Sequence, residues 1–131
     1  RLSTPAYRLS IEGWRSLERG DLTEAARALT RALALRPDEP VTLYRYARLL
    51  FAQRQDDAAL VALASIHRRQ PSTPPTIYLL ACVDAARVKE QQGDVRTAIE
   101  LYRSAMTVSG GDQRVKQDAQ LQLARLASPA R

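Results

Sequence analysis

The sequence predicts an all-α fold in which three stacked helix pairs are closed by a seventh, C-terminal capping helix. Three observations lead to this prediction. Apolar and small residues recur at helical spacing, turn residues separate the helical segments, and one pattern of residues returns with a period of 34 residues. Because each helix pair leaves one apolar side uncovered, successive pairs are expected to stack on their neighbours.

Small residues and prolines mark the repeat. Ala25 and Ala59 are 34 residues apart, and so are Pro37 and Pro71. A third copy places Ala98 another 39 residues after Ala59, and the five extra residues fall in a proline-rich stretch that predicts a longer loop. The repeats therefore cover about 6–39, 40–73 and 79–110 of a single domain that spans 1–131.

These positions resemble the signature of the tetratricopeptide repeat family, which has a small residue where two helices touch and a Gly-Asp turn between them. The touching positions hold Gly13, Ala47 and Ala86. Gly-Asp follows in the first and third copies, whereas Arg54-Gln55 replaces it in the second. The resemblance implies a right-handed α-solenoid and covers nearly the whole chain.

Start and stop signals define the expected helices in order. Thr4 and Asp38 are the expected N-caps of the first and third helices, and each precedes a proline suited to the first turn. The first helix is expected to end at Gly20. The remaining helices are expected at about 23–35, from 40 onward, 57–68, from 73–75 to 92, 96–107 and, for the capping helix, 112–127.

The residue types needed for catalysis or metal binding are scarce. The chain has one histidine, His67, and one cysteine, Cys82, which excludes an internal disulfide and the usual zinc site with four ligands. His67 is expected on the surface near the end of the fourth helix, and Cys82 is expected to be buried in the fifth. Gly110-Gly111 lacks the lysine of a phosphate-binding loop. We therefore predict a non-enzymatic domain with no cofactor, no metal and no membrane-spanning segment.

The family resemblance implies that the first helix of each pair lines a concave groove that binds a peptide or helix of another protein. This groove is expected to hold aromatic side chains and arginines, the residue types that concentrate binding energy at interfaces. Arg48 and Arg87 occupy equivalent positions in successive repeats and are expected to hold an acidic group or free C-terminus of the partner. The expected groove residues are Tyr7, Ser10, Trp14, Tyr44, Arg48, Phe51, Arg87 and Glu90.

Two alternatives to a protein partner in the groove remain open. The net charge of +6 is compatible with nucleic acid, since helical repeats can also bind RNA. Arg19, Arg36 and Arg54, however, lie where helix termini explain them, and no single basic stripe emerges, so nucleic acid is the less favoured partner. Leu121 on the otherwise polar side of the last helix also allows self-association into a homo-oligomer.

Overall fold

The computed structural model describes residues 4–67 and 73–128, and these residues form seven helices and no strand. The prediction of an all-α helical-repeat fold is therefore confirmed. The chain divides into two compact units, unit 1 (Arg1–Thr73) and unit 2 (Pro74–Arg131), and the single-domain assignment stays a prediction. The helices are α1 (Pro5–Glu18), α2 (Leu22–Leu35), α3 (Pro40–Ala52), α4 (Asp56–Ala64), α5 (Pro75–Gln91), α6 (Val95–Met106) and α7 (Gln113–Ala127).

A proline at the first helical position sets the start of three helices, α1, α3 and α5. The residue before a proline is kept in extended conformation, which is also the conformation of an N-cap. Thr4 caps α1 as expected. For α3, however, the predicted cap Asp38 is wrong. Glu39, directly before Pro40, caps the helix, and its carboxylate accepts from two backbone N–H groups of the first turn.

Glycines with positive φ end α1 and α5. Gly20 and Gly93 have φ of 82° and 85°, in the left-handed region that favours glycine. The next residue, Asp21 or Asp94, returns its N–H to a carbonyl in the last helical turn, at 2.9 Å and 2.8 Å respectively. The same aspartates then cap α2 and α6 with their side chains. Each Gly-Asp pair thus stops one helix and starts the next.

The second copy keeps this turn without its usual residues. Arg54 takes the glycine position with φ of 62°, and it is the only non-glycine with positive φ among the described residues. The Gln55 N–H donates to the Leu50 carbonyl at 2.8 Å, as in the other two turns. The Gln55 side chain, however, makes no capping hydrogen bond to α4.

The fourth helix is shorter than the sequence predicts. It ends at Ala64 instead of continuing to residue 68. At this end the Ser65 hydroxyl donates to the Val61 carbonyl at 3.1 Å. The backbone hydrogen bonding also changes from the α to the 3₁₀ pattern, because the Ile66 N–H donates to the Leu63 carbonyl three residues earlier. His67 therefore follows the helix instead of belonging to it.

Close packing of α1 against α2 organises the core of unit 1. A Cβ atom placed on Gly13 would lie 2.5 Å from the Leu29 Cγ and 3.2 Å from its backbone nitrogen, so only glycine allows this approach. Leu29 is fully buried together with Ala25 and Leu49. Ala47 and Ala59, the small residues of the second copy, are also fully buried. Within this unit, the small residues therefore lie buried in the core, and Gly13 allows the close helix contact predicted for it.

In unit 2, α5 and α6 pair and α7 packs against both. Ala119 of α7 is fully buried against a core that includes Leu79, Val83 and Tyr102. The remaining apolar residues of α7 that pack on this core are Val115, Leu123 and Leu126. These apolar residues of α7 therefore cover the end of the α5–α6 pair, as expected of a capping helix.

Candidate functional site

The predicted groove residues lie on three helices. Tyr7, Ser10 and Trp14 are on α1, Tyr44, Arg48 and Phe51 are on α3, and Arg87 and Glu90 are on α5 of the second unit. Tyr7 and both arginines are exposed, and Trp14, Phe51 and Glu90 are partly buried. Ser10 and Tyr44 are buried, so only a small part of each side chain reaches the surface.

A pocket of about 390 Å³ opens within unit 1 beside the N-terminal halves of α1 and α3. It combines an aromatic ring, aliphatic groups, the hydroxyls of one serine and two threonines, and charged side chains of both signs. Two of the predicted groove residues, Tyr7 and Ser10, contribute to it. Its lining residues are Thr4, Ala6, Tyr7, Ser10, Arg36, Glu39, Val41, Thr42 and Arg45.

Arg45 makes two defined contacts at this pocket. Its Nη1 donates to Ser10 Oγ at 2.8 Å, and its guanidinium carbon lies 5.9 Å from the centre of the Trp14 ring. That distance is within the range of a cation–π interaction. Burial lowers the pKa of Arg45, and the charges of Glu39 and Glu18 partly oppose this effect. The group still stays cationic at neutral pH, because an arginine is not deprotonated in proteins.

Arg45 forms no ion pair within the part of the chain that the structure describes. By contrast, Arg27 on α2 is paired with Glu24 and, at 2.6 Å, with Glu12. The half-buried guanidinium has lost hydration, and the charges of Glu39 and Glu18 compensate only in part because neither carboxylate forms an ion pair with it in the described part of the chain. The pocket is therefore suited to an anionic group.

A buried polar cluster contacts Arg45 through the Ser10 hydroxyl. The Ser10 and Thr42 hydroxyl oxygens are 2.8 Å apart, and each residue is only 3% exposed. The Thr42 hydroxyl also lies 2.6 Å from Glu39 Oε1. The Glu39 carboxylate additionally accepts from the backbone N–H groups of Val41 and Thr42, at 3.1 Å and 2.8 Å. Its negative charge is thus held at the N-terminus of α3, where it is favourable.

The two predicted groove residues of unit 2 form ion pairs. Arg87 lies 2.9 Å from the Asp118 carboxylate of α7 and 3.6 Å from Asp84. Burial alone would lower the pKa of Arg87, but these carboxylates outweigh it and the pKa is raised. Glu90 pairs with Arg125 of α7 at 2.5 Å. Both residues therefore help to fasten the capping helix to α5.

The candidates for catalysis, one cysteine and one histidine, lie in different units. Cys82 is buried, and His67 is exposed beyond the end of α4. Within residues 4–67 and 73–128 no group of three or more histidine, cysteine or acidic residues could hold a metal ion. No helix in this part of the chain is sufficiently long and apolar to span a bilayer.

Sequence reasoning missed Arg45, although a signal was present. Arg45 follows Val41 by four residues and therefore shares its side of α3. The pairing with Ser10 joins residues 35 positions apart, and no local pattern indicates it. The repeat pattern instead indicates the neighbouring Arg48, because Arg48 is equivalent to Arg87 in the next copy.

Comparison with known proteins gives one family match. The model of a family described as tetratricopeptide repeat matches residues 16–81, which is just over half of the 131 residues. This stretch begins in the last turn of α1 and extends into the first half of α5. No curated protein matches the chain significantly.

Proposed function

The chain belongs to the tetratricopeptide repeat family, and from this premise we propose that it binds a segment of another protein through the pocket beside α1 and α3. Tetratricopeptide repeats generally mediate protein–protein interaction, and the family is in general a non-catalytic repeat module. The finer proposal is that a carboxylate of the partner binds to Arg45. The carboxylate comes from an acidic side chain or from a free C-terminus.

This proposal is supported by the burial of Arg45, by its lack of an ion pair among the described residues and by its position at the pocket. Its charge is half-buried, forms no ion pair in the described part of the chain and faces a pocket of about 390 Å³. A carboxylate placed there would restore the counter-charge and accept hydrogen bonds from the planar guanidinium fork. Such bonds are about twice as strong as those between neutral groups.

The surroundings of Arg45 favour a peptide over a lone anion. Tyr7 is 45% exposed and Val41 is partly exposed, and both line the same pocket. They offer apolar surface to the residues that flank the carboxylate. Arg36 also lines the pocket and adds a second positive charge. Aromatic residues and arginine are enriched among the residues that dominate binding energy.

This proposal places the carboxylate on Arg45, which is a revision of the sequence-based expectation. The joint use of Arg48 and Arg87 stays a prediction. Arg87 already has two carboxylate partners within unit 2, so a ligand would have to compete with Asp84 and Asp118. Arg45 has no such competitor among the described residues.

Two peptide libraries can test the proposal. Both contain random decapeptides, one with a free C-terminus and one with an amidated C-terminus, and both are selected on the immobilised chain. We expect enriched peptides to share a carboxylate at a fixed position, and the library that yields them identifies its source. Replacing that carboxylate by its amide should weaken binding by roughly tenfold, as expected for a hydrogen bond between charged groups.

The variant Arg45→Gln keeps a polar side chain but removes the charge, and it should reduce binding of the selected peptides by a similar factor. Arg31→Gln is the matched control, because Arg31 is an exposed arginine of α2 that does not line the pocket. Equal binding by the wild type and Arg45→Gln would contradict the assignment of the carboxylate to Arg45. If Arg48→Gln or Arg87→Gln alone abolished binding, the earlier expectation would be correct instead.

A further inference from the structure

Beside the pocket, a series of hydrogen bonds connects the positively charged Arg45 to the negatively charged Glu39. Arg45 Nη1, Ser10 Oγ, Thr42 Oγ1 and Glu39 Oε1 follow one another at distances of 2.8, 2.8 and 2.6 Å. The two hydroxyls in the middle belong to different helices, α1 and α3, and both residues are 3% exposed. Bulk water therefore has little access to the hydroxyls.

The direction of these hydrogen bonds follows from the donors and acceptors. An ionised carboxylate only accepts and a guanidinium only donates, whereas each hydroxyl has a single hydrogen. The Thr42 hydroxyl must donate to Glu39, so it accepts from the Ser10 hydroxyl. Ser10 in turn accepts from Arg45. All three bonds thus point the same way, and bonds in such a chain strengthen one another.

We propose that Ser10, Thr42 and Glu39 are positioning residues that hold the Arg45 guanidinium in its binding orientation. We name this arrangement the Ser10–Thr42–Glu39 relay. The inference rests on the proposed function of the pocket, since it explains how that pocket is kept ready for a carboxylate. Pre-organisation of this kind raises affinity, because the side chain is ordered before the partner arrives.

The relay is more than the N-cap of α3. Capping requires only that Glu39 accept from backbone N–H groups, and it does so from Val41 and Thr42. The bonds from Arg45 to Ser10 and from Ser10 to Thr42 leave this cap unchanged. They do, however, fix one nitrogen of a long side chain that would otherwise sample several rotamers. The Trp14 ring, 5.9 Å from the guanidinium carbon, limits its position from a second direction.

The free protein allows a direct test by NMR spectroscopy. Rotation about the Nε–Cζ bond of Arg45 averages the signals of its two terminal nitrogens, and the bond to Ser10 slows this rotation. We expect Ser10→Ala to accelerate the rotation by roughly tenfold, as for the loss of a hydrogen bond to a charged group. Thr42→Val keeps the shape of the side chain and leaves in place the Ser10 hydroxyl to which Arg45 donates. It should still accelerate the rotation by about threefold, because Ser10 loses its acceptor.

Thr30→Val is the matched control. Thr30 is an exposed threonine of α2 whose hydroxyl donates to the backbone carbonyls of Ala26 and Arg27 in its own helix. This variant should leave the Arg45 signals unchanged. The fluorescence of Trp14, the only tryptophan in the chain, provides a second signature, because a mobile guanidinium changes its surroundings. Unchanged rotation in both Ser10→Ala and Thr42→Val would overturn the relay, and folding of each variant is verified by circular dichroism.

Binding to defined probes separates this inference from the proposed function. The probes are acetyl-Ala-Glu-Ala-amide, acetyl-Ala-Ala-Ala with a free C-terminus, and acetyl-Ala-Gln-Ala-amide as the neutral control. We expect Thr42→Val to weaken binding of the acidic probes about threefold and to leave the neutral probe unaffected. If the wild type binds neither acidic probe, the proposed pocket function fails, while the rotation measurement still decides the relay. Tight binding by the wild type and by both variants equally would leave the pocket function standing and refute the relay.

Discussion

The turn between α3 and α4 offers a stabilising change that the repeat itself suggests. In the first and third copies the turn is Gly-Asp, and the glycines have φ of 82° and 85°. In the second copy Arg54 adopts φ of 62° and Gln55 makes no capping bond. The double variant Arg54→Gly with Gln55→Asn should restore both functions. Asparagine is preferred to aspartate here because Asp56 and Asp57 follow directly, and a third carboxylate would add repulsion.

The expected gain can be estimated from its two parts. A non-glycine in the left-handed region costs about 1–2 kcal/mol, of which the greater freedom of glycine in the unfolded chain cancels about 0.4–1 kcal/mol. A side-chain cap on α4 adds about 1 kcal/mol. The double variant should therefore gain about 1.5–2 kcal/mol in the free energy of unfolding. For a chain of this size, that corresponds to a rise in Tm of roughly 5–8 °C.

Thermal unfolding followed by circular dichroism at 222 nm measures this gain, and urea unfolding provides the free energy. Gly20→Ala is the matched control. A Cβ at Gly20 would have no neighbour within 4 Å, so this substitution isolates the effect of φ. It should lower stability by about 1 kcal/mol. A double variant with unchanged or lower Tm, together with a neutral Gly20→Ala, would refute the explanation based on φ and capping.

Two further predictions concern packing and pH. Gly13→Ala should destabilise the protein by about 1–2 kcal/mol in urea unfolding despite its better helix propensity, because the new Cβ would lie 2.5 Å from the Leu29 Cγ. A stabilising effect would contradict the close approach of α1 and α2. Hydrogen bonds from the Thr97 hydroxyl and backbone N–H lower the pKa of Asp94 below its ordinary value of 3.8. The stabilisation by the charged Asp94 is therefore present above pH 3.8 and lost as the pH falls through the lowered pKa. The difference in Tm between wild type and Asp94→Asn should shrink over that range, and a constant difference would exclude this linkage.

The helices could be predicted from the sequence because their signals are local. Pro5, Gly20 and Gly93 act through the backbone dihedrals of one or two residues, and each lies where a helix starts or ends. The errors also have local causes. Asp38 was favoured as a cap because of its residue type, but Pro40 imposes the cap conformation on Glu39. The early end of α4 reflects the backbone bonds at Ser65 and Ile66, which no residue type indicates.

The ion pairs and hydrogen bonds of the charged side chains could not be predicted in the same way. An exposed arginine and a paired one look alike in a sequence, because pairing depends on residues far along the chain. Arg87 meets Asp118 31 residues later, and Arg45 meets Ser10 35 residues earlier. Equivalence in the repeat suggested that Arg48 and Arg87 act together. The structure instead shows Arg87 in ion pairs with α7 and α5.

The repeat also shows why Arg45 differs from its surroundings. Displacement by 34 or 39 residues places Ile11, Arg45 and Asp84 at one equivalent position in the three copies. Positions that build the fold, such as those of Gly13, Ala47 and Ala86, stay small in every copy, because helix contact requires it. The position of Arg45 holds an apolar, a basic and an acidic residue in turn, so packing alone does not determine it. Asp84 has a partner in Arg87 within its own unit, whereas Arg45 contacts Ser10 and the Trp14 ring and forms no ion pair with any described residue. A repeat position that packing does not determine is available for the binding of a partner, which is the role proposed above for Arg45.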